Sequence, residues 1–328
     1  MVNKNGISRK KSKNGFYYYY IRNKKPVSEK VLKRIYKLRI PPAWEDVWIS
    51  SHGKESIQAT GYDSKGRKQY RYNELHIQEA EKQKFIRLYD FIQAIPKLER
   101  RMRYDLRKHV YSKERVIVTM LRIVKSVHMR VGKEIYAKRN KSYGISSLKK
   151  THGKIFKDKL TFNFKGKSNK RLFYTIRDSL VIQHVKILMK LDGEKLFQYL
   201  DESSDTVRRV TDIDINQYIQ RYMGEKFSVK DFRTYAANHY FIESLLKETS
   251  KNYPENDKKI KKNIRNAIKR TAYYLKHTKA ISKKSYIMDF VKNKYETDPD
   301  YFVDKQEDDP NKVLIDLLKL YKNKILNL

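Results

Sequence analysis

The sequence predicts an α+β protein in two parts: a small β-rich module over residues 1–77 and a larger, mainly helical part over 78–328. Three observations lead there. Short aromatic and β-branched runs, separated by turn signals, crowd the amino-terminal part. From about residue 78 apolar side chains recur at helical spacing. One stretch of the helical part, Lys157 to Ile176, returns to strand chemistry and reads as a β-hairpin.

In the first module, Phe16 to Arg22 and Val47 to Ser50 are strand candidates. Ser56 to Tyr62 and Lys68 to Asn73 flank Asp63-Ser64-Lys65-Gly66, a hairpin turn signal. Val31, Leu32, Ile35 and Leu38 have helical spacing, and Pro41-Pro42 ends that helix. Tyr17-Tyr18-Tyr19-Tyr20 alternates faces of a strand and is expected to pack in the core of this module. Residues 1–15 are polar and basic with no apolar segment, so they do not read as a secretory signal. Arg9-Lys10-Lys11-Ser12-Lys13 reads as a nuclear address, or as a disordered or DNA-touching arm. Helices are expected over 78–93, 113–138, 179–200, 228–247, 257–277 and 311–325, with an acidic loop over 298–309 before the last. No internal repeat is found.

The chain has 328 residues, a length that suits about two domains. Lys and Arg total 75 against 37 acids, a net charge of +38. That charge repels itself and calls for a polyanionic partner. Nucleic acid leads, because neutralised phosphates release condensed counterions. A membrane ranks lower, since no 18-residue apolar run is present. Cysteine is absent, which excludes disulfides, thiolate catalysis and cysteine-ligated zinc and fits a reducing compartment.

The candidate chemistry lies in scattered motifs. Ser228-Val229-Lys230-Asp231 has the form of a capping box, which places Lys230 and Arg233 three apart on one helical face. A helix start favours phosphate, and an arginine fork adds two donors. Read alone, it is a solvated helix start. Lys167 lies at the hairpin tip with Lys165 and Lys170. A lysine among guanidinium groups gives up a proton more readily, which suits an acid; alone it is a basic turn. A phosphate-binding P-loop fails there, because its first glycine would fall at Thr161. His277 precedes Tyr286 by nine residues, so their proximity depends on the intervening turn. Asp212-Ile213-Asp214 resembles the start of a calcium loop but lacks its glycine, and a helix cap is the better reading. No carboxylate cluster suits two-metal chemistry, and no cofactor is called for. Gln69-Tyr70-Arg71-Tyr72 alternates polar and aromatic groups, so Tyr70 and Tyr72 share one strand face. A ribbon of this kind fits a major groove; a half-buried edge strand is the competing reading.

Together these motifs resemble the type IB DNA topoisomerases of poxviruses and large DNA viruses, over nearly the whole chain. Ile40-Pro41-Pro42-Ala43-Trp44-Glu45-Asp46-Val47-Trp48-Ile49 and the run Gln58 to Tyr72 carry the resemblance in the first module. Arg130-Val131-Gly132-Lys133, Lys230-Asp231-Phe232-Arg233-Thr234-Tyr235 and Ser282-Lys283-Lys284-Ser285-Tyr286 carry it in the second. The resemblance implies a two-domain clamp on double-stranded DNA, with a DNA-binding amino-terminal domain and a catalytic domain of the tyrosine recombinase-like fold. It implies Tyr286 as nucleophile, Arg130, Arg233 and His277 on the scissile phosphate, and Lys167 as general acid. Gln69, Tyr70, Tyr72, Lys133, Tyr136, Lys230 and Asn238 match DNA-contact or nearby polar positions. It further implies a monomer at work inside an infected cell, in the virion or the cytoplasmic viral factory, with the nucleus also open. One departure stands out: relatives tend to carry a further basic residue between Lys133 and Tyr136, where this chain has Glu134-Ile135, which bears on target-sequence preference.

Two alternatives remain at this point. A tyrosine recombinase shares the arginine-lysine-arginine-histidine-tyrosine logic but typically has histidine where Lys230 stands. A non-enzymatic architectural protein would explain the charge and leave the ordered residue set unexplained.

Overall fold

Alternating side chains with short turns, followed by long runs of 3.6-residue periodicity, give two kinds of unit. In a computed structural model, which describes residues 5–13, 15–201 and 203–326, the chain forms two compact units, Met1–Lys84 and Phe85–Leu328.

The first unit holds β1 (Ile7–Ser12), β2 (Gly15–Tyr20), α1 (Glu29–Lys37), β3 (Glu45–Ile49), β4 (Ile57–Tyr62) and β5 (Lys68–Tyr72). The strands form one antiparallel sheet in the order β2-β1-β3-β4-β5. Its inner face gathers Ile7, Tyr18, Val47, Ile49 and Ala59 around Ile35 of α1, with Val31, Leu32 and Leu38 packed alongside. The β4–β5 turn is closed by Gly66 in the left-handed region (φ 67°), and the Asp63 carboxylate accepts from the Lys65 and Arg67 backbone N–H groups. Two expectations are corrected here. The basic run Arg9 to Lys13 is not disordered: Arg9 to Ser12 lie in strand β1, paired residue for residue with β2. The tyrosine run is not all core, because a strand sends alternate side chains to opposite faces. Tyr18 is buried, while Tyr17 is 44% exposed.

The second unit takes up most of α2 (Glu74–Asp105) and then α3 (Lys113–Val127), α4 (Glu134–Asn140), β6 (Gly153–Ile155), β7 (Leu160–Lys165), β8 (Arg171–Ile176), α5 (Ser179–Leu188), β9 (Gln198–Asp201) and β10 (Thr206–Arg209). It closes with α6 (Asp212–Met223), α7 (Val229–Lys251), α8 (Asp257–Tyr274), α9 (Lys279–Ile281), α10 (Asp289–Thr297), α11 (Asp300–Val303) and α12 (Pro310–Leu326). One core surrounds α3, built on Val116, Met120, Leu121, Ile123 and Val124 and met by Leu160, Phe162 and Phe164 of β7. Another lies between α7, α8, α10 and α12, around Phe241, Leu245, Ile264, Tyr295 and Leu314.

Two long helices of the sequence reading are interrupted. The expected helix over 113–138 ends at Val127, where His128 turns left-handed (φ 53°), and resumes only at Glu134. The expected helix over 179–200 ends at Leu188, and Gly193 (φ 86°) turns the chain into the β9–β10 hairpin. Apolar residues continue past the first break, where Met129 is buried, so periodicity alone could not place it; at the second the chain is polar and exposed, and Asp192-Gly193 is itself a turn signal. The acidic stretch 298–309 contains the short helix α11. Thr211 and Asp214 cap α6 reciprocally, and Lys113 pairs with Asp214, so the calcium-like run serves as a helix start.

Candidate active site

The break after α3 builds one wall of the site. Arg130 lies in an extended segment whose backbone is held by residues 144–147. The Arg130 and Val131 carbonyls accept from Ile145 N (2.9 Å) and Ser146 N (2.8 Å). Gly132 has φ 73°, and a Cβ there would come within 2.6 Å of Gly144 N, so only glycine allows the two segments to pack. Arg130 is thereby fixed by backbone rather than by a helix.

Helix α7 contributes the second arginine. The Asp231 carboxylate accepts from the Ser228 backbone N–H and hydroxyl (2.8 and 2.9 Å) and receives a two-pronged ion pair from Arg87 of α2 (2.6 and 2.7 Å). This fixes the first turn. Arg233, one turn on, is 2% exposed. Its guanidinium donates to the His128 carbonyl and to the Leu275 carbonyl (2.9 Å). Lys230 stays exposed beside it.

The hairpin contributes Lys167. The alternation in β7 and β8 buries Leu160, Phe162, Phe164, Leu172, Tyr174 and Ile176. The tip is closed by Gly166 N donating to the Lys170 carbonyl (2.8 Å), with Ser168 and Asn169 both left-handed. Lys167 therefore projects from a tip anchored in the core.

Tyr286 ends a π-helical turn, Ser282–Tyr286, that follows α9. Such turns commonly mark functional sites. The His277 and Tyr286 rings stack at 5.0 Å and 11°, and the Arg233 guanidinium carbon lies 5.6 Å from the Tyr286 ring centre. The fully buried Ser282 hydroxyl lies 3.1 Å from His277 Nδ1.

Arg130, Lys133, Tyr136, Lys167, Lys230, Arg233 and Tyr286 line one cavity of about 990 Å³. Its electrostatics follow from three facing cations. Burial pushes the Tyr286 phenol up, but the Arg233 charge, helped by Arg130 and Lys230, holds it below the ordinary tyrosine value. Burial, then Arg233 and Arg130, lower His277 from 6.5 to about 4, so its imidazole is neutral near pH 7. Arg233 Nε, His277 Nε2 and the Tyr174 hydroxyl are buried with no hydrogen-bond partner among the described residues. Leaving such groups unpaired costs about 1–3 kcal/mol each. An anion with several acceptor oxygens would satisfy the two nitrogens.

The catalytic set expected from sequence thus converges. The expected DNA contacts divide. Lys133 and Tyr136 are exposed at the cavity mouth. Tyr70 and Tyr72, in the first unit, are 42% and 43% exposed and stack at 6.0 Å. Gln69 points from the opposite face of β5 and gives its amide to Asp63 (2.9 Å). Asn238 is corrected. It is 0% exposed, and its amide serves the Thr234 carbonyl, the Tyr286 carbonyl (3.1 Å) and the Met288 N–H (2.9 Å). It holds the backbone of the tyrosine and has no atom left for DNA. Glu134, where a further basic residue was expected, accepts from Lys195 and Arg209 and braces α4.

Sequence reasoning missed His128, Ser282 and Tyr174. His128 acts through a backbone carbonyl, which no residue type announces. Ser282 lay inside a quoted motif, and its pairing with His277 emerges only from the π-turn.

The geometry agrees with comparisons to known proteins. Residues 67–307 match the model of the eukaryotic DNA topoisomerase I catalytic core. Residues 15–63 match that of the bacterial DNA topoisomerase IB N-terminal domain. The chain belongs to the type IB DNA topoisomerases and is an isomerase of DNA topology. Within that family it stands with the viral enzymes. It is 54% identical to DNA topoisomerase 1B of Acanthamoeba polyphaga mimivirus over 98% of this chain and 96% of that one. It is 28% identical to DNA topoisomerase 1B of Vaccinia virus (strain Copenhagen) over 71% and 72%. It is likewise 28% identical to DNA topoisomerase 1 of Rabbit fibroma virus (strain Kasza) over 80% and 79%. Membership of this family sets aside the recombinase and architectural readings.

Proposed function

We propose that the chain relaxes supercoiled duplex DNA as a monomer, through a covalent bond to Tyr286, with no ATP and no metal ion. The observation that carries this reading is the packing of the Tyr286 ring against His277 and near Arg233, at a cavity that Arg130, Lys167 and Lys230 also line.

The Tyr286 phenol releases its proton to solvent as its oxygen attacks a backbone phosphorus in line. The new O–P bond forms as the bond to the 5′-oxygen breaks. Arg130 and Arg233 bind the non-bridging oxygens, and the neutral His277 donates through Nε2. Preorganised donors aimed at developing charge are the largest expected contribution in such a site. Lys167 on its hairpin protonates the departing 5′-oxygen. A 3′-phosphotyrosyl bond remains, the free end rotates, and its hydroxyl reverses the step. The covalent intermediate conserves the bond energy, so no nucleotide is consumed. Lys133, Tyr136, Tyr70 and Tyr72 contact the duplex, and the enzyme acts inside the infected cell, in the virion or viral factory.

The test is relaxation of positively and negatively supercoiled plasmid in EDTA without nucleotide. Full relaxation of both signs is expected. A requirement for magnesium or ATP would overturn the metal-free, nucleotide-free step.

A further inference from the structure

The amino-terminal sheet carries a second aromatic strip that the proposed function leaves unused. Direct cross-strand pairing puts residues on one face, and the register gives an unbroken row: Tyr19 opposite Ser8, Ser8 opposite Trp48, Trp48 opposite Thr60, and Thr60 opposite Tyr70. The neighbouring row, Tyr20, Ile7, Ile49, Ala59 and Arg71, contains the buried core and faces α1. Tyr19 and Tyr70 therefore share the outer face, at opposite edges.

The two edges are built alike. On β5, Tyr70 and Tyr72 stack at 6.0 Å, with Lys68 Nζ 5.8 Å from the Tyr70 ring. On β2, Tyr17 and Tyr19 stack at 5.6 Å, with Lys24 Nζ 5.3 Å from the Tyr19 ring. Lys10 lies directly opposite Tyr17 and is exposed. Glu45, paired with Tyr62, is a carboxylate on this face, and Lys10, Lys24 and Lys68 outweigh it. Tyr17, Tyr70 and Tyr72 are exposed and Tyr19 is half-buried; tyrosines presented beside ammonium groups suit phosphate, sugar and base edges, and a chain of net charge +38 draws a polyanion to such a face.

Four strand spacings separate β2 from β5, about 19 Å. Half a turn of B-DNA is about 17–18 Å. A duplex engaged at the β5 edge therefore presents its next phosphate ridge and groove at the β2 edge.

We propose that Tyr17 and Tyr19, with Lys10 and Lys24, form a second contact strip that grips the same duplex about half a helical turn from Tyr70 and Tyr72. This rests on the reading that the β5 strip contacts DNA. The partner is flanking duplex, so the strip enlarges the footprint and leaves the chemical step alone.

The experiment maps the strongest cleavage site of the full-length protein on a plasmid fragment. It then measures affinity and hydroxyl-radical footprints on a duplex centred there. Tyr17→Ser/Tyr19→Ser should weaken binding about tenfold and remove protection of about five base pairs at one end of the footprint. Lys10→Gln/Lys24→Gln should lower the slope of log affinity against log salt by about two. On a duplex shortened by that half turn, wild type and Tyr17→Ser/Tyr19→Ser should bind equally, a result that a general folding defect would not give. Tyr70→Ser/Tyr72→Ser should weaken binding while keeping the β2-side protection. If only Tyr70→Ser/Tyr72→Ser has an effect, or if the Tyr17→Ser/Tyr19→Ser loss persists on the short duplex, the second strip is wrong and the β5 reading stands. If neither pair changes affinity or footprint, both readings of this face fall.

Discussion

At the scale of single residues, the site is a set of charges arranged around one phenol. Lys167 is the residue whose role separates most cleanly from binding. Lys167→Ala should slow cleavage of ordinary DNA roughly 10²–10⁴-fold, the usual worth of a positioned acid. With sulfur in place of the leaving oxygen, which needs no protonation, the slowing should largely vanish. Equal slowing on both substrates, followed in single-turnover cleavage, would remove Lys167 from the role. His277 gives a prediction in stability. Its value in the fold is about 4 against 6.5 ordinarily, so between those pH values the unfolded chain binds the extra proton. The stabilisation is complete above pH 6.5 and is lost as pH falls toward 4. His128, also lowered to about 4 by burial and then Arg233, works in the same direction. Chemical denaturation of His277→Asn should show a shallower acid loss than wild type, by on the order of 1–2 kcal/mol after allowing for partial exposure of the ring. Identical slopes would mean that His277 is no part of the acid response.

At the scale of elements, the site depends on interruptions of regular structure. Arg130 is useful because α3 stops at Val127 and the chain then runs extended against residues 144–147. Tyr286 is useful because a π-turn, held by Asn238, presents it toward His277. Gly132→Ala would place a Cβ 2.6 Å from Gly144 N at a left-handed φ. Displacement of Arg130 by about an ångström would lower relaxation roughly 10²-fold. Plasmid relaxation with a thermal melt checks this, and a fully active Gly132→Ala would show that Arg130 does not depend on that contact. The same interruptions explain what was legible in the sequence. Strands β2 to β5, the hairpin, α7 and α8 could be read because alternation or helical period ran to their ends. The break at His128 could not, because Met129 and Val131 carry the apolar pattern through the turn; the break at Gly193 had a signal in Asp192-Gly193, which the apparent helical period over 179–200 overrode. The residues proposed as catalytic could be picked out through short motifs. The carbonyls of His128 and Leu275 and the buried amide of Asn238 could not, since they act through backbone that only the fold assembles.

At the scale of the whole molecule, the excess of cations explains attraction to DNA and says nothing of chemistry. Many basic proteins bind nucleic acid; what separates this chain is one phenol packed against an imidazole and near a guanidinium, at a cavity lined by further cations. Glu134 fixes the start of α4, since Lys195 and Arg209 both donate to its carboxylate. The central claim is that Tyr286 carries the DNA. The most direct measurement is denaturing detection of the covalent protein–DNA adduct in wild type and Tyr286→Phe, with peptide mapping of the attached residue and a parallel binding assay. The expected result is an adduct on Tyr286 in wild type, none in Tyr286→Phe, and non-covalent affinity within a few-fold. An adduct of undiminished yield in Tyr286→Phe, or one mapped to another residue, would contradict it.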